Sequence, residues 1–138
     1  MTKRALTEAE LLAAPKENYM NKAQLQLFRQ RLLTVRSQLL ENVRDTTEHL
    51  RETETASDPS DRATQEEEQA LELRTRDRER KLLKKIDQAL ERITAATYGY
   101  CEDTGEPIGI GRLLARPTAT LSVAAQDKRE RVQRQFAD

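Results

Sequence analysis

Apolar residues recur at Leu25, Phe28, Leu32, Val35 and Leu39 in steps of three, four, three and four, the spacing that lines one side of an α-helix with a coiled-coil seam. Asn21 stands just before this run and can cap the helix, with Gln24 at the N3 position. Past Leu39 the seam positions turn polar at Asn42, Thr46 and His49. Thr53, Thr55, Ser57, Asp58 and Pro59 then form a breaker cluster, which predicts a chain reversal. A second helical pattern continues to about Ala96, with few large apolar residues before Leu71 and Leu73. Leu82, Ile86, Leu90 or Ala89, and Ile93 then return at helical spacing. The apolar end of the second helix is therefore expected to pair with the apolar start of the first. Two such helices of roughly 33 residues make an antiparallel hairpin about 50 Å long, apolar at its base and polar toward its turn.

Both flanks of this hairpin, taken as residues 21–97 with its tip near 55–63, read differently. In residues 1–20, Thr7 with Glu10 three positions later is a capping-box signature for a short helix through Leu11 and Leu12, ending before Pro15. Residues 98–138 begin with a turn-rich stretch that holds all four glycines, Gly99, Gly105, Gly109 and Gly111. Ile108, Ile110, Leu113 and Leu114 are expected to supply one or two short strands, and Ser122 to cap a last helix carrying Val123, Val132 and Phe136. Gly109 and Gly111 do not make a dinucleotide loop, because Leu114 stands where the third glycine belongs.

Composition narrows the function. Of 138 residues, 35% are charged and 4% aromatic, with four glycines and four prolines. That bias favours long exposed helices over a sandwich or barrel, and argues against a compact catalytic core. Twenty-four basic residues balance twenty-four acidic ones, so any electrostatic role must come from local patches. Such patches exist. Residues 48–68 hold eight acids against two arginines, a net charge of −6, whereas residues 74–85 hold seven bases against two acids, a net charge of +5. Part of this is ordinary i,i+4 helix pairing, as in Glu72 with Arg76 and Asp77 with Lys81. The segregation also suits a probe whose acidic tip enters a positive or metal-bearing site while its basic side grips an acidic rim or an anionic ligand. No run approaches the roughly 18 apolar residues of a membrane span, and the start of the chain lacks the apolar core of a signal peptide, so the cytoplasm is the expected location. One cysteine, Cys101, excludes an internal disulfide framework.

Nearly the whole chain resembles the DksA family of bacterial transcription factors. The resemblance rests on Tyr19-Met-Asn, Asp58-Pro-Ser-Asp-Arg-Ala, Gln65-Glu-Glu-Glu, Leu71-Glu-Leu-Arg, Arg76-Asp-Arg-Glu-Arg-Lys, Tyr98-Gly-Tyr-Cys and Ala115-Arg-Pro-Thr. It implies a mainly α fold: a long antiparallel coiled-coil hairpin on a small globular domain, with a zinc-finger-like module and a C-terminal helix. It further implies a non-enzymatic monomer that binds RNA polymerase directly, inserts its tip through the secondary channel, and alters open complexes at ribosomal RNA and stringent-response promoters together with ppGpp. Sequence-specific DNA binding is not implied. By this resemblance Asp58, Asp61 and Ala63 form the tip motif, and Leu82, Lys85 and Arg116 are candidates for a ppGpp pocket. Arg74 and Arg78 are candidates for gripping the polymerase. Gln126 stands where the family often has a further basic residue. The aspartates also have a local use, because Asp58 before Pro59 suits an N-cap and Asp61 completes a box.

The departure is at the metal site. Family members usually present Cys-x2-Cys twice, whereas the four positions here are Cys101, Thr104, Ser122 and Ala125. A structural zinc needs about four N or S donors, and the one histidine, His49, lies in the hairpin, so the module is expected to be degenerate and zinc-free. Packing among Tyr98, Tyr100, Ile110, Leu113, Leu121 and Phe136 is expected to replace the metal, with Cys101 a small packed residue rather than a nucleophile. Two other readings stand beside this one. A transcript-cleavage factor would use the acidic tip to help hold Mg²⁺, and a plain coiled-coil adaptor would self-associate without binding polymerase.

Overall fold

The computed structural model describes residues 6–52 and 59–137, with 46, 49–52, 59, 60 and 137 as backbone only. Among them are five α-helices: α1 (Glu8–Ala13), α2 (Lys22–Glu52), α3 (Pro59–Thr94), α4 (Ile110–Ala115) and α5 (Val123–Ala137), with a 3-10 turn at Lys16–Asn18. No strand occurs among the described residues, and Tyr100 and Pro107 meet in one isolated antiparallel bridge. The chain divides into two compact units, residues 33–87 and residues 1–32 with 88–138. Each long helix contributes to both. No helix among the described residues is long and apolar enough to cross a membrane.

Helix starts follow local hydrogen-bond chemistry. Thr7 Oγ1 accepts from Glu10 N–H at 3.2 Å, Asn21 Oδ1 from Gln24 N–H at 2.9 Å, and Ser122 Oγ from Ala125 N–H at 3.2 Å. Each satisfies a donor that the first turn of a helix leaves without an intrahelical partner. Gln24 answers Asn21 by accepting from Met20 N–H at 2.9 Å. α3 begins at Pro59, a residue suited to the first helical position. Most of the reversal expected at 53–59, including Asp58, lies outside the described residues. α3 stops where Ala96 turns left-handed at φ 60°, which lets Thr97 N–H reach the carbonyl of Arg92 at 2.9 Å.

In the unit of residues 33–87 the two helices run antiparallel, since Arg36 Nε near the start of one meets Asp87 Oδ1 near the end of the other at 2.8 Å. Leu39 and Ile86 are buried there. Toward the start of α3 the partly buried positions Gln65, Gln69, Glu72, Arg76, Glu79 and Leu83, with Thr75 beside them, follow the alternating steps of four and three that a coiled-coil seam requires. The seam takes Leu83 and leaves Leu82 exposed. Leu71 is 60% exposed and Leu73 50%. The distal seam is thus polar although leucines lie beside it, because helical register, not residue type, decides which positions face the partner.

The second unit holds the main core, with Leu11, Phe28, Leu32, Ala89, Ile93, Tyr98 and Leu113 buried. Of the two residues that fitted the α3 pattern, Ala89 is the fully buried one and Leu90 is half-buried. Phe28 and Tyr98 rings pack at 5.5 Å, and α1 packs on α4. Burying each such aromatic or leucine side chain is worth about 1.5–3 kcal/mol. Ile110 opens a helix rather than a strand, since a strand would strand its backbone groups without a second edge to pair with. The expected aromatic packing holds in part: Tyr98 is buried and donates to the Pro117 carbonyl at 2.7 Å, but Tyr100 is exposed and Phe136 is 86% exposed.

One side chain joins the distant segments. Tyr19 Oη donates to the Gly99 carbonyl at 2.5 Å and accepts from Gly109 N–H at 3.0 Å, while its ring meets Tyr100 edge-on at 5.7 Å. Gly99 has φ +92°, and an added Cβ would come within 2.8 Å of Met20 Cγ, so glycine is needed for both conformation and space. Burial raises the Tyr19 phenol above its ordinary value, with the Gly109 N–H acting in the opposite direction. Tyr19→Phe removes both hydrogen bonds and leaves the Gly109 N–H unpaired, while the Gly99 carbonyl keeps its bond from Ile108 N–H at 2.8 Å. Urea denaturation is expected to show a loss of about 1–3 kcal/mol; an unchanged midpoint would refute the assigned role.

Candidate functional site

Helical register on α3 separates two faces. Opposite the seam, Arg74, Arg78, Lys81 and Lys85 recur in steps of four, three and four, and all four are exposed. Steps of this size keep side chains on one stripe of a helix. Exposed Leu71 and Leu82 flank the stripe. Arg78 Nη2 donates weakly to Thr75 Oγ1 at 3.4 Å, which orients the side chain without neutralising it. The expected polymerase-gripping residues, Arg74 and Arg78, therefore share a face with Lys85. The sequence pattern alone did not single out Leu71 and Lys81 as part of that face; both are exposed there, with Arg74, Arg78 and Lys85.

Toward the start of α3, Asp61 lies in the first turn, where a carboxylate meets the positive end of the helix dipole. Asp61 and Ala63 are exposed. Asp58, the third tip residue, lies outside the described residues. Of the three expected ppGpp contacts, Leu82 and Lys85 are exposed on α3 in the unit of residues 33–87. Arg116 belongs to the other unit, exposed at the end of α4, where its N–H bonds the Arg112 carbonyl at 2.8 Å.

The four former metal positions converge in the module that follows α3. Cys101 is 3% exposed. Burial pushes its thiol pKa up, but hydrogen bonds from the Thr104 hydroxyl, the Ser122 and Thr104 backbone and the Ser122 hydroxyl outweigh burial, bringing it from 9.0 down to about 6. Ala125 is buried and its N–H bonds Ser122 Oγ. One thiol, two hydroxyls and a methyl do not make a zinc site, which needs thiolate or imidazole donors in a tetrahedral set. Among the described residues no group of three or more His, Cys, Asp and Glu could hold a metal ion. The N–H and O–H groups of Thr104 and Ser122 instead favour the thiolate form of Cys101.

Two arginines clasp this module. Arg129 on α5 grips Asp103 with both Nε, at 2.7 Å, and Nη2. Arg112 on α4 donates from Nε to the Leu121 carbonyl at 2.8 Å and from Nη2 to Gln126. The Arg129 bond holds the Asp103 carboxyl below its ordinary pKa. Paired guanidinium contacts of this kind fix geometry as well as charge. Nothing in the sequence announced them, because Asp103 and Arg129 are separated by 26 positions.

An exposed cationic helix face on a helical hairpin, with a helix-bearing module built around a residual finger cysteine, defines a class of bacterial transcription factor. The chain belongs to the DksA family. Residues 24–93 match the family described as DnaK suppressor protein DksA, N-terminal domain, and residues 96–131 match the prokaryotic dksA/traR C4-type zinc finger. The chain is 55% identical over 123 residues to the RNA polymerase-binding transcription factor DksA of Caulobacter vibrioides, covering 88% of this chain and 87% of that protein. To the protein of the same name from Escherichia coli K12 it is 49% identical over 124 residues, covering 89% and 82%. Among solved structures, transcription factor DksA2 from Pseudomonas aeruginosa is similar at a TM-score of 0.86 and 47% identity, covering 93% of this chain and 99% of that one. The matched finger is of four-cysteine type, and this chain supplies one cysteine to it.

A depressed thiol pKa links Cys101 to stability with a definite sign. Between pH 6 and 9 the folded chain holds a thiolate where the unfolded chain holds a thiol, so the contribution is complete above about 9 and is lost as pH falls through about 6. Thiolate absorbance is expected to titrate with a midpoint near 6, and Cys101→Ala to flatten the rise in stability across that window. A midpoint near 9 in the folded protein would overturn the cradle.

Proposed function

We propose that this chain is an RNA polymerase-binding transcription regulator that acts through the tip of its hairpin. Membership of the DksA family carries this reading, and the names of its relatives from Caulobacter vibrioides and Escherichia coli support it. The exposed Asp61 and Ala63 at the start of α3 are its local support. In this proposal the tip passes through the secondary channel of the polymerase. There Asp58, Asp61 and Ala63 perturb the mobile elements that hold initiating DNA, and no covalent step is involved. Acidic side chains cannot grip a phosphate backbone, so their action is on protein groups or on bound cations.

The cationic face of α3 supplies the grip. Arg74 and Arg78 contact an acidic rim on the polymerase, a pairing that speeds encounter and fixes orientation. Leu82, Lys85 and Arg116 contribute to a ppGpp pocket completed by the polymerase, where cations pair with phosphate. The factor works as a monomer in the cytoplasm, makes no sequence-specific DNA contact, catalyses no reaction, and holds its finger module without zinc. Metal analysis of the purified protein is expected to find no stoichiometric zinc, and one zinc per chain would refute that part.

Two measurements test the functional reading. Wild type is expected to shorten the half-life of open complexes at a ribosomal RNA promoter, whereas a variant with Asp58→Asn and Asp61→Asn binds polymerase equally and does not shorten it. Full activity of that variant rejects the tip assignment, and shortened transcripts in stalled complexes would favour the cleavage reading. Arg78→Glu is expected to weaken polymerase affinity about tenfold, or about 1.4 kcal/mol; unchanged affinity removes Arg78 from the interface.

A further inference from the structure

Closing the hairpin takes charges out of water without giving them partners. On the α3 seam Glu79 is half-buried, and its Oε2 is shielded from solvent with no hydrogen bond among the described residues. Arg76, one turn earlier on the same seam, is also half-buried and makes no ion pair among the described residues. A charged group removed from water is stabilised only by what it meets in exchange, and these two meet no counter-charge.

The hydroxyls at this level do not join the helices either. Thr47 on α2 and Thr75 on α3 are partly buried, yet both turn back into their own helices. Thr47 Oγ1 donates to the Val43 carbonyl at 2.9 Å, and Thr75 Oγ1 to the Leu71 carbonyl at 3.1 Å. A hydroxyl bonded to the carbonyl four residues back adds nothing across the interface. Leu71 and Leu73 do not compensate, since both lie off the seam in water. The basal end is built in the opposite way. Leu39 and Ile86 are buried there, and Arg36 Nε meets Asp87 Oδ1 at 2.8 Å.

We infer that residues 33–87 carry a conformational device: α3 up to Glu79 and the end of α2 that it faces open and reclose as a unit, while the pairing around Leu39 and Ile86 stays shut. Glu79 sets the balance, because opening returns its carboxylate to water and closing removes it. Asp61 and Ala63 lie on the opening part of α3, so these tip residues move without unfolding of the base. Openings of this kind come from the least stabilised part of a fold. A helix separated from its partner is marginal in water, so the opened state gives up its backbone amides to exchange.

Amide hydrogen exchange on the full chain, free of polymerase, tests the device. Residues 66–80 are expected to exchange at least about a hundredfold faster than residues 86–93 of the same helix. Glu79→Leu puts an apolar side chain at the seam position, and is expected to slow exchange across 66–80 about tenfold while leaving 86–93 unchanged. Glu68→Leu removes the same charge at an exposed position, and is expected to alter neither segment, because Glu and Leu have similar helix propensity. A single exchange rate along the whole helix overturns the inference. So does a Glu79→Leu variant that leaves 66–80 unchanged or slows 86–93 equally, and so does a Glu68→Leu variant that matches Glu79→Leu.

Discussion

The Tyr19 hydroxyl sits between two backbone groups eighty and ninety positions away in sequence, and the finger-like module depends on it. A short, glycine-rich segment that lacks a metal has little apolar surface with which to hold its own turns. Here the Gly99 carbonyl and the Gly109 N–H, at the two ends of that segment's first loop, are joined through one phenol supplied by the start of the chain. Met20 adopts a left-handed φ of 53° next to it, a conformation that non-glycine residues adopt at a cost. That cost is accepted because it delivers Tyr19 to the loop and places Met20 N–H against Gln24. The latch, the α2 cap and the close approach at Gly99 are therefore one arrangement, and substituting any member disturbs the others.

Where interactions were local, the sequence could be read closely. Thr7, Asn21 and Ser122 cap helices as their side-chain chemistry requires, and Phe28, Leu32, Leu39, Ile86 and Ile93 are buried as their spacing demands, although Val35 of the same series is exposed. Errors arose where the outcome depended on partners distant in sequence. Leu83 rather than Leu82 faces inward because register along a long helix is set by the other helix, which also decides for Ala89 between the two residues that fitted the pattern. Ile110 and Leu113 look like strand residues, yet without a pairing edge they form a helical turn. Phe136, expected to join the packing of the module, stays in solvent; α5 is tied down through Gln126 and Arg129 in its first half.

The candidate site was legible to different degrees for the same reason. Asp61 and Ala63 could be placed from a motif around a proline, and the cations on α3 from their period. The thiolate cradle was visible only as a set of missing cysteines. What stands there instead is a set of hydroxyls and N–H groups from Thr104 and Ser122, beside a module pinned separately by the Arg129–Asp103 pair.

The polar seam of α3 has a thermodynamic side. Gln65, Gln69, Glu72, Arg76 and Glu79 occupy positions that leucine or isoleucine would fill in an ordinary coiled coil. Separating the two helices there exposes little apolar surface, so this half of the hairpin contributes little to the heat capacity of unfolding. Its pairing consequently varies only gently with temperature and responds to ionic strength, whereas the core around Phe28 and Tyr98 behaves in the opposite way. One continuous helix thus runs through two regimes of solvent dependence, and salt and heat act on different ends of it.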